Sequence, residues 1–216
     1  MTRRFELIVF DWDGTLLDSQ EHIVGTLFAT CADLAITPPT REAAKDIIGL
    51  GLPEALEKLF PGTGPEERLR ITDTYRRHFL GKPSPSKLFP GVMETLHRLH
   101  TQGYLLGIAT GKGRRGLDRS LEEFGLSELF HATRCADEAF SKPHPQMLLD
   151  LLEMLGVAAA NTLMVGDTEY DMQMANNADT ASLAVDYGVH DKQRLMRHNP
   201  LGCINAIGEI QQWLDH

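Results

Sequence analysis

A chain of 216 residues with 42% hydrophobic and 24% charged side chains can bury a sizeable core, as one large domain or as one domain carrying an insertion. Its composition is that of an ordinary folded protein, which excludes wholesale disorder. A formal net charge of −9 argues against general binding to nucleic acid or anionic membranes, which need clustered Lys and Arg, and leaves room for a small anion met by local positive groups.

The first predicted element is FELIVF, Phe5 to Phe10, apolar but for Glu6, which reads as a strand buried on both faces. From about Leu17 to Phe79 no strand is evident. Helical patterns fall near Ser19 to Leu34, Thr40 to Ile48, Pro53 to Leu59 and Pro65 to Leu80. Leu56, Leu59 and Phe60 have the spacing of one buried helix face. The Pro- and Ser-rich KPSPSKLFPG, Lys82 to Gly91, reads as a linker.

Beyond it, strands are predicted at Tyr104 to Thr110, around Phe130 in FHATR, at Thr162 to Asp167 and at Ala181 to Val185. Helices fall between them at Val92 to His100, Gly113 to Phe124, Pro145 to Leu155 and Glu169 to Asn177. This alternation predicts an α/β fold, a Rossmann-like and mainly parallel sheet with helices on both faces. A small α-helical cap is inserted after the first strand. The expected division is a core of residues 1–16 and 86–216 and a cap of residues 17–85.

The first strand ends in DWDGT, where Asp11 and Asp13 stand two residues apart. Two carboxylates this close repel each other, so a cation or a reaction must offset the cost. In doubly wound sheets ligands bind beyond the carboxyl ends of the strands. Three more polar groups occupy such places or precede a helix: Thr110-Gly111-Lys112-Gly113, Lys142 in SKPHP, and Gly166-Asp167 followed by Asp171.

Together these four segments resemble the motifs of the haloacid dehalogenase-type phosphatases, over nearly the whole chain. DWDGT is similar to the first motif, ATGK to the second, the Lys of SKPHP to the third and GDTEYD to the fourth. The helical insert matches the cap that many members carry, and IGLGLPEAL, Ile48 to Leu56, resembles the cap segment facing the site in phosphoglycolate phosphatase-like members. The resemblance implies a Mg2+-dependent phosphatase for a small phosphomonoester. Asp11 would be the nucleophile, forming an aspartyl-phosphate, and Asp13 the acid and base. Thr110 and the amides after it would bind the transferring oxygens, and Lys142 would neutralise phosphoryl charge. Gly14, Gly111 and Lys112 would line the substrate. Asp11, Asp13 through its carbonyl, Asp167 and Asp171 would serve the metal, the last through water or by holding Lys142 or the loop. Thr15 favours hydrolysis over a β-phosphoglucomutase-like reaction, where Val or Ile is frequent. Pyrophosphate hydrolysis and a non-catalytic phosphoryl-ligand binding module are the other readings.

Each motif alone has a plainer explanation. DxDG favours turns, Asp167 could cap the helix after it, and a lone Lys142 would be solvated. His97, His100 and His144 read as surface residues, Arg114 and Arg115 as part of a solvated helix face, Trp12 as packing, and Met172 and Met174 as core. Asp179 stands where family members often have Gly and is expected in a left-handed turn. Cys31, Cys135 and Cys203 lack a CxxC pair and suggest free thiols in a reducing compartment. The apolar run of MTRRFELIVFD is too short for a signal peptide, and no stretch reaches the length of a membrane span. The expected setting is cytoplasmic, as a monomer or homodimer acting on a small phosphorylated metabolite, with no nucleic-acid or membrane partner.

Overall fold

Strand β1 (Leu7–Phe10) is buried at every residue. Its alternate side chains enter two different cores. Ile8 and Phe10 pack with Leu96, Leu99, Leu117 and Leu121, while Leu7 and Val9 pack with Met147, Leu148, Leu151 and Met174. A continuous apolar run is the sequence signature of such a strand, which has no solvent face. The computed structural model describes residues 4–81 and 86–214.

In chain order β1 is followed by β2 (Leu17–Asp18) and four helices, α1 (Gln20–Leu34), α2 (Arg41–Asp46), α3 (Leu52–Leu59) and α4 (Pro65–Gly81). Then come β3 (Lys87–Leu88), α5 (Val92–Thr101), β4 (Leu105–Thr110), α6 (Arg114–Phe124), β5 (Ala132–Cys135), α7 (Gln146–Leu155) and β6 (Thr162–Gly166). The chain finishes with α8 (Glu169–Asn177), β7 (Ala181–Val185), α9 (Lys192–Met196), β8 (Cys203–Ile204) and α10 (Gln211–Leu214). A six-stranded sheet has the order β5-β4-β1-β6-β7-β8, and every pairing in it is parallel. The fold is therefore the α/β architecture that the strand–helix alternation implies. β1 lies between β4 and β6, so the residues after these three strands emerge side by side.

Helices α1 to α4 form the insert, with a core of their own built from Val24, Leu27, Ile48, Leu56 and Ile71. Local chemistry sets their ends. Thr40 caps α2 by accepting the amide of Ala43 at 3.2 Å, and α4 begins with Pro65 followed by Glu66 and Glu67 in its first turn. The sequence expectation of no strand from Leu17 onward needs correction. Leu17 pairs with Leu88 and Asp18 with Lys87 in an antiparallel two-stranded ribbon, so the two crossings between core and insert run together. Lys87 and Leu88 belong to the segment read as linker, whose residues 82–85 lie outside the described residues.

The insert is seated on the core by polar contacts. The Tyr170 hydroxyl donates to the Asp46 carbonyl at 2.9 Å and receives the Lys58 ammonium at 2.7 Å. Arg194 bridges Asp46 of the insert and Glu169 of the core. The Gly51 amide donates to Ser141 Oγ at 2.7 Å. Asp179 takes a φ of 54°, the left-handed turn expected of it. Cys31, Cys135 and Cys203 are free thiols, and among the described residues no helix is long and apolar enough to cross a membrane.

Candidate active site

Asp11 extends β1 by one rung, its amide donating to the Val165 carbonyl at 2.9 Å. The chain then turns sharply, and the amides of Leu16 and Leu17 return to the Trp12 carbonyl. Trp12 points into the core, stacks edge-on against Phe130 and donates through Nε1 to Ser120 Oγ at 3.2 Å, so its part is packing. Gly14 makes the turn at φ 93°, and a Cβ there would stand 2.2 Å from Asp167 Oδ2. The space this glycine leaves is filled by the Asp167 carboxylate.

Asp167 follows β6 and is held from three sides. Thr15 Oγ1 donates to its Oδ1 at 2.8 Å, the Val189 amide donates to its Oδ2 at 2.8 Å, and Gly14 packs against it. Asp167 does not cap α8. That place belongs to Thr168, which forms a reciprocal capping box with Asp171. The second oxygen of Asp171 lies 2.6 Å from Lys142 Nζ, and Asp11 Oδ1 lies 2.7 Å from the same ammonium. Asp171 thus contacts both Lys142 and the loop at Thr168, two of the parts the sequence leaves open for it.

Asp11, Asp167 and Asp171 are all buried, and one oxygen from each lies within 4.8 Å of the others. Burial raises the Asp11 carboxyl well above its ordinary range; Lys142 opposes this, while Asp171 and Asp167 add to it. Asp167 is pushed up to about 7, first by burial and then by the charge of Asp171. Burial alone would lower the Lys142 ammonium, but Asp11 and Asp171 outweigh it and raise it instead, so lysine stays charged.

Three carboxylates face one ammonium, and Asp11 Oδ2 is buried without a hydrogen-bond partner. A divalent cation would balance the two surplus negative charges and partner that oxygen. An all-oxygen donor set of this kind suits a hard ion such as Mg2+.

Asp13 stands apart from this cluster. Its carboxylate accepts Ser19 Oγ at 2.6 Å and pairs with Lys112 Nζ at 2.9 Å. That ammonium also lies over the Phe79 ring of the insert, 4.5 Å from its centre. Any part of Asp13 at the metal would therefore belong to its backbone. Thr110 is fully buried after β4, with Oγ1 accepting the Lys112 amide at 3.1 Å. Gly111 is pressed against the insert, where an added Cβ would lie 2.4 Å from the Leu50 carbonyl oxygen. The amide of Arg114, at the start of α6, is taken by Asp137.

One cavity of about 740 Å³ joins core and insert, with Asp11, Asp13, Thr110, Gly111 and Lys112 in its wall. The predicted segment Ile48 to Leu56 supplies Leu50, Leu52 and Leu56 to the same wall. His97, His100 and His144 are exposed, and Arg114 is tied to Glu138 and Asp118. Ser19, Tyr75, Asp137 and Ser141 reach this region without a sequence signal: Ser19 and Ser141 are common residue types beside the motifs, and Tyr75 and Asp137 are brought in by long-range folding.

The family model described as "Haloacid dehalogenase-like hydrolase" matches residues 8–185. The chain belongs to the haloacid dehalogenase-like hydrolases. Among relatives in this family, the Dickeya dadantii protein named "Probable phosphatase IndB" is 36% identical, over 94% of this chain and 91% of that one. A phosphoglycolate phosphatase of Agrobacterium fabrum is 32% identical over 86% and 82% of the two chains. The crystal structure of a hydrolase from Pseudomonas syringae shares the fold with a TM-score of 0.88 at 22% identity, covering 98% of each chain. The four motifs, the capped α/β fold and the family match agree: this is an enzyme, a hydrolase of the phosphatase-bearing branch of the family.

Proposed function

We propose that this hydrolase is a Mg2+-dependent phosphatase that transfers the phosphoryl group of a small phosphomonoester to Asp11 and then to water. The observation that carries the reading is the buried pairing of Asp11, which lines an open cavity, with Lys142, beside two further carboxylates. When bound by Asp11, Asp167 and Asp171, the ion supplies positive charge to the transferring oxygens and keeps Asp11 ionised despite its burial.

The rest is the work of the chain. Asp11 attacks phosphorus as a carboxylate, with Lys142 neutralising charge on the same group. Asp13 carries the proton to the leaving oxygen and later accepts one from the attacking water. Ser19 and Lys112 orient it for that task. Thr110 holds the turn whose amides face the phosphoryl oxygens. Thr15 fixes Asp167, a part for this hydroxyl that an aliphatic residue could not play. The free thiols fit a reducing, cytoplasmic setting, and the reading takes the enzyme as a monomer or homodimer.

The test is phosphate release from an aryl phosphate. Stripping divalent ions should abolish it and Mg2+ should restore it. Asp167→Asn should shift the Mg2+ dependence to at least about tenfold higher concentration, a loss on the scale of disturbed metal ligation. Full activity in the presence of a chelator would contradict the reading.

A further inference from the structure

The wall of the cavity beyond the catalytic groups is mainly apolar. Leu52 and Leu59 of α3 and Tyr75 and Phe79 of α4, all partly buried, face it, with Leu27 and Leu56 of the insert's core behind them. Tyr75 and Phe79 are stacked with their ring centres 5.7 Å apart. The charged side chains that also border it, Arg76, Arg77, Arg115 and Asp137, are exposed. A two-carbon acid such as phosphoglycolate would leave most of 740 Å³ unfilled and the leucines of α3 uncovered. A volume in the range of about 300–1,000 Å³ with apolar walls is that of a site for a larger organic ligand.

We infer that the enzyme is specific for phosphomonoesters of apolar alcohols, whose hydrocarbon body lies among α1, α3 and α4 while the phosphate meets Asp11 and Lys142. This assignment rests on the phosphatase reading for the phosphate end only. Hydrocarbon burial gives the specificity, because each methylene moved out of water improves binding by up to about fourfold.

The test uses alkylphosphonates from ethyl to octyl, which cannot be hydrolysed at the carbon–phosphorus bond, titrated calorimetrically into the Mg2+-loaded protein. Affinity should rise by about two- to fourfold per methylene until the cavity is filled. Ala55→Phe, which places a ring in the cavity wall, should flatten that rise; Leu59→Phe serves if the first variant fails to fold. Leu69→Ala, at an exposed leucine outside the cavity, should leave the rise intact. Equal affinity along the series, or tighter binding of phosphonoacetate than of octylphosphonate, overturns the assignment. Aryl phosphate hydrolysis measured in parallel separates the two claims. Hydrolysis with flat affinities removes the apolar-substrate assignment alone. Rising affinities without hydrolysis remove the phosphatase reading alone, and no binding of any phosphonate removes both.

Discussion

Replacing Lys142 with Met keeps an unbranched apolar stem, one atom shorter, and removes the ammonium with its charge and hydrogen-bond donors. In the wild type that ammonium lies 2.7 Å from Asp11 and 2.6 Å from Asp171, and all three groups are buried. Breaking a buried pair by removing one partner costs about 3–5 kcal/mol, because a charge is left without compensation. For a chain of this size each kcal/mol lowers the melting temperature by about 2–4 °C, so the loss should be roughly 6–20 °C. The measurement is thermal unfolding in chelator at about pH 8, where the carboxylates are deprotonated in the unfolded chain.

The pH dependence has a definite sign. Asp11 and Asp167 already have raised folded-state pKa values, and losing Lys142 raises them further. Between the unfolded and folded values the folded state holds protons that the unfolded state has released. Stability therefore rises as pH falls, and the deficit of Lys142→Met should narrow toward about pH 5. Mg2+ should narrow it as well, since the cation takes over part of the neutralisation. A variant melting within about 2 °C of the wild type at about pH 8, less than about 1 kcal/mol for this size, would refute the reasoning.

Two other substitutions probe the surroundings. Gly14→Ala places a Cβ 2.2 Å from Asp167 Oδ2 at a φ of 93°; it should cost at least about 1–3 kcal/mol and weaken Mg2+ binding, as melting with and without Mg2+ would show. Arg194→Met cuts the link between Asp46 of the insert and Glu169 of the core. Because these groups are partly exposed the melting temperature should change little, but amides of α2 and α3 should exchange faster with deuterium. Glu169 is held down at about 2, first by its hydrogen bond from Arg194. Its contribution is present above about 4.5 and is lost as pH falls toward about 2, so the variant should lack that part of the wild type's acid destabilisation.

The parts of this molecule legible in the sequence are those whose cause is local. The bounds of α8 and β7 follow from periodicity and flanking turns, and the apolar run before Asp11 marks β1. The two-residue strands β2, β3 and β8 carry no period, since a pattern needs more residues than they have. Their pairing is decided by where the chain crosses between insert and core, or by the neighbouring strand. The same holds at the site. Asp11 and Asp167 are visible because acids follow apolar strands, whereas Lys142 and Asp171 are picked out by their resemblance to the family motifs. Ser141 under Gly51 and Tyr75 in the cavity wall depend on contacts between residues far apart in the chain, and Ser19 on Asp13 is of a type too common to stand out. Gly14 is legible as a turn, but its close partner, the Asp167 carboxylate, comes from a segment far along the chain.

The central claim is that Asp11 takes the phosphoryl group. Asp13→Ala should spare its transfer from an aryl phosphate, whose leaving group needs little protonation, while slowing hydrolysis of the acyl-phosphate by the loss of its base, an effect of roughly a hundred- to ten-thousand-fold. Acid-quenched Asp13→Ala incubated with labelled aryl phosphate and Mg2+ should therefore carry label, and mass spectrometry of its peptides should place the phosphate on Asp11. Asp11→Asn/Asp13→Ala should carry none. Label on any other residue, or near-normal turnover by Asp11→Asn, would contradict the assignment.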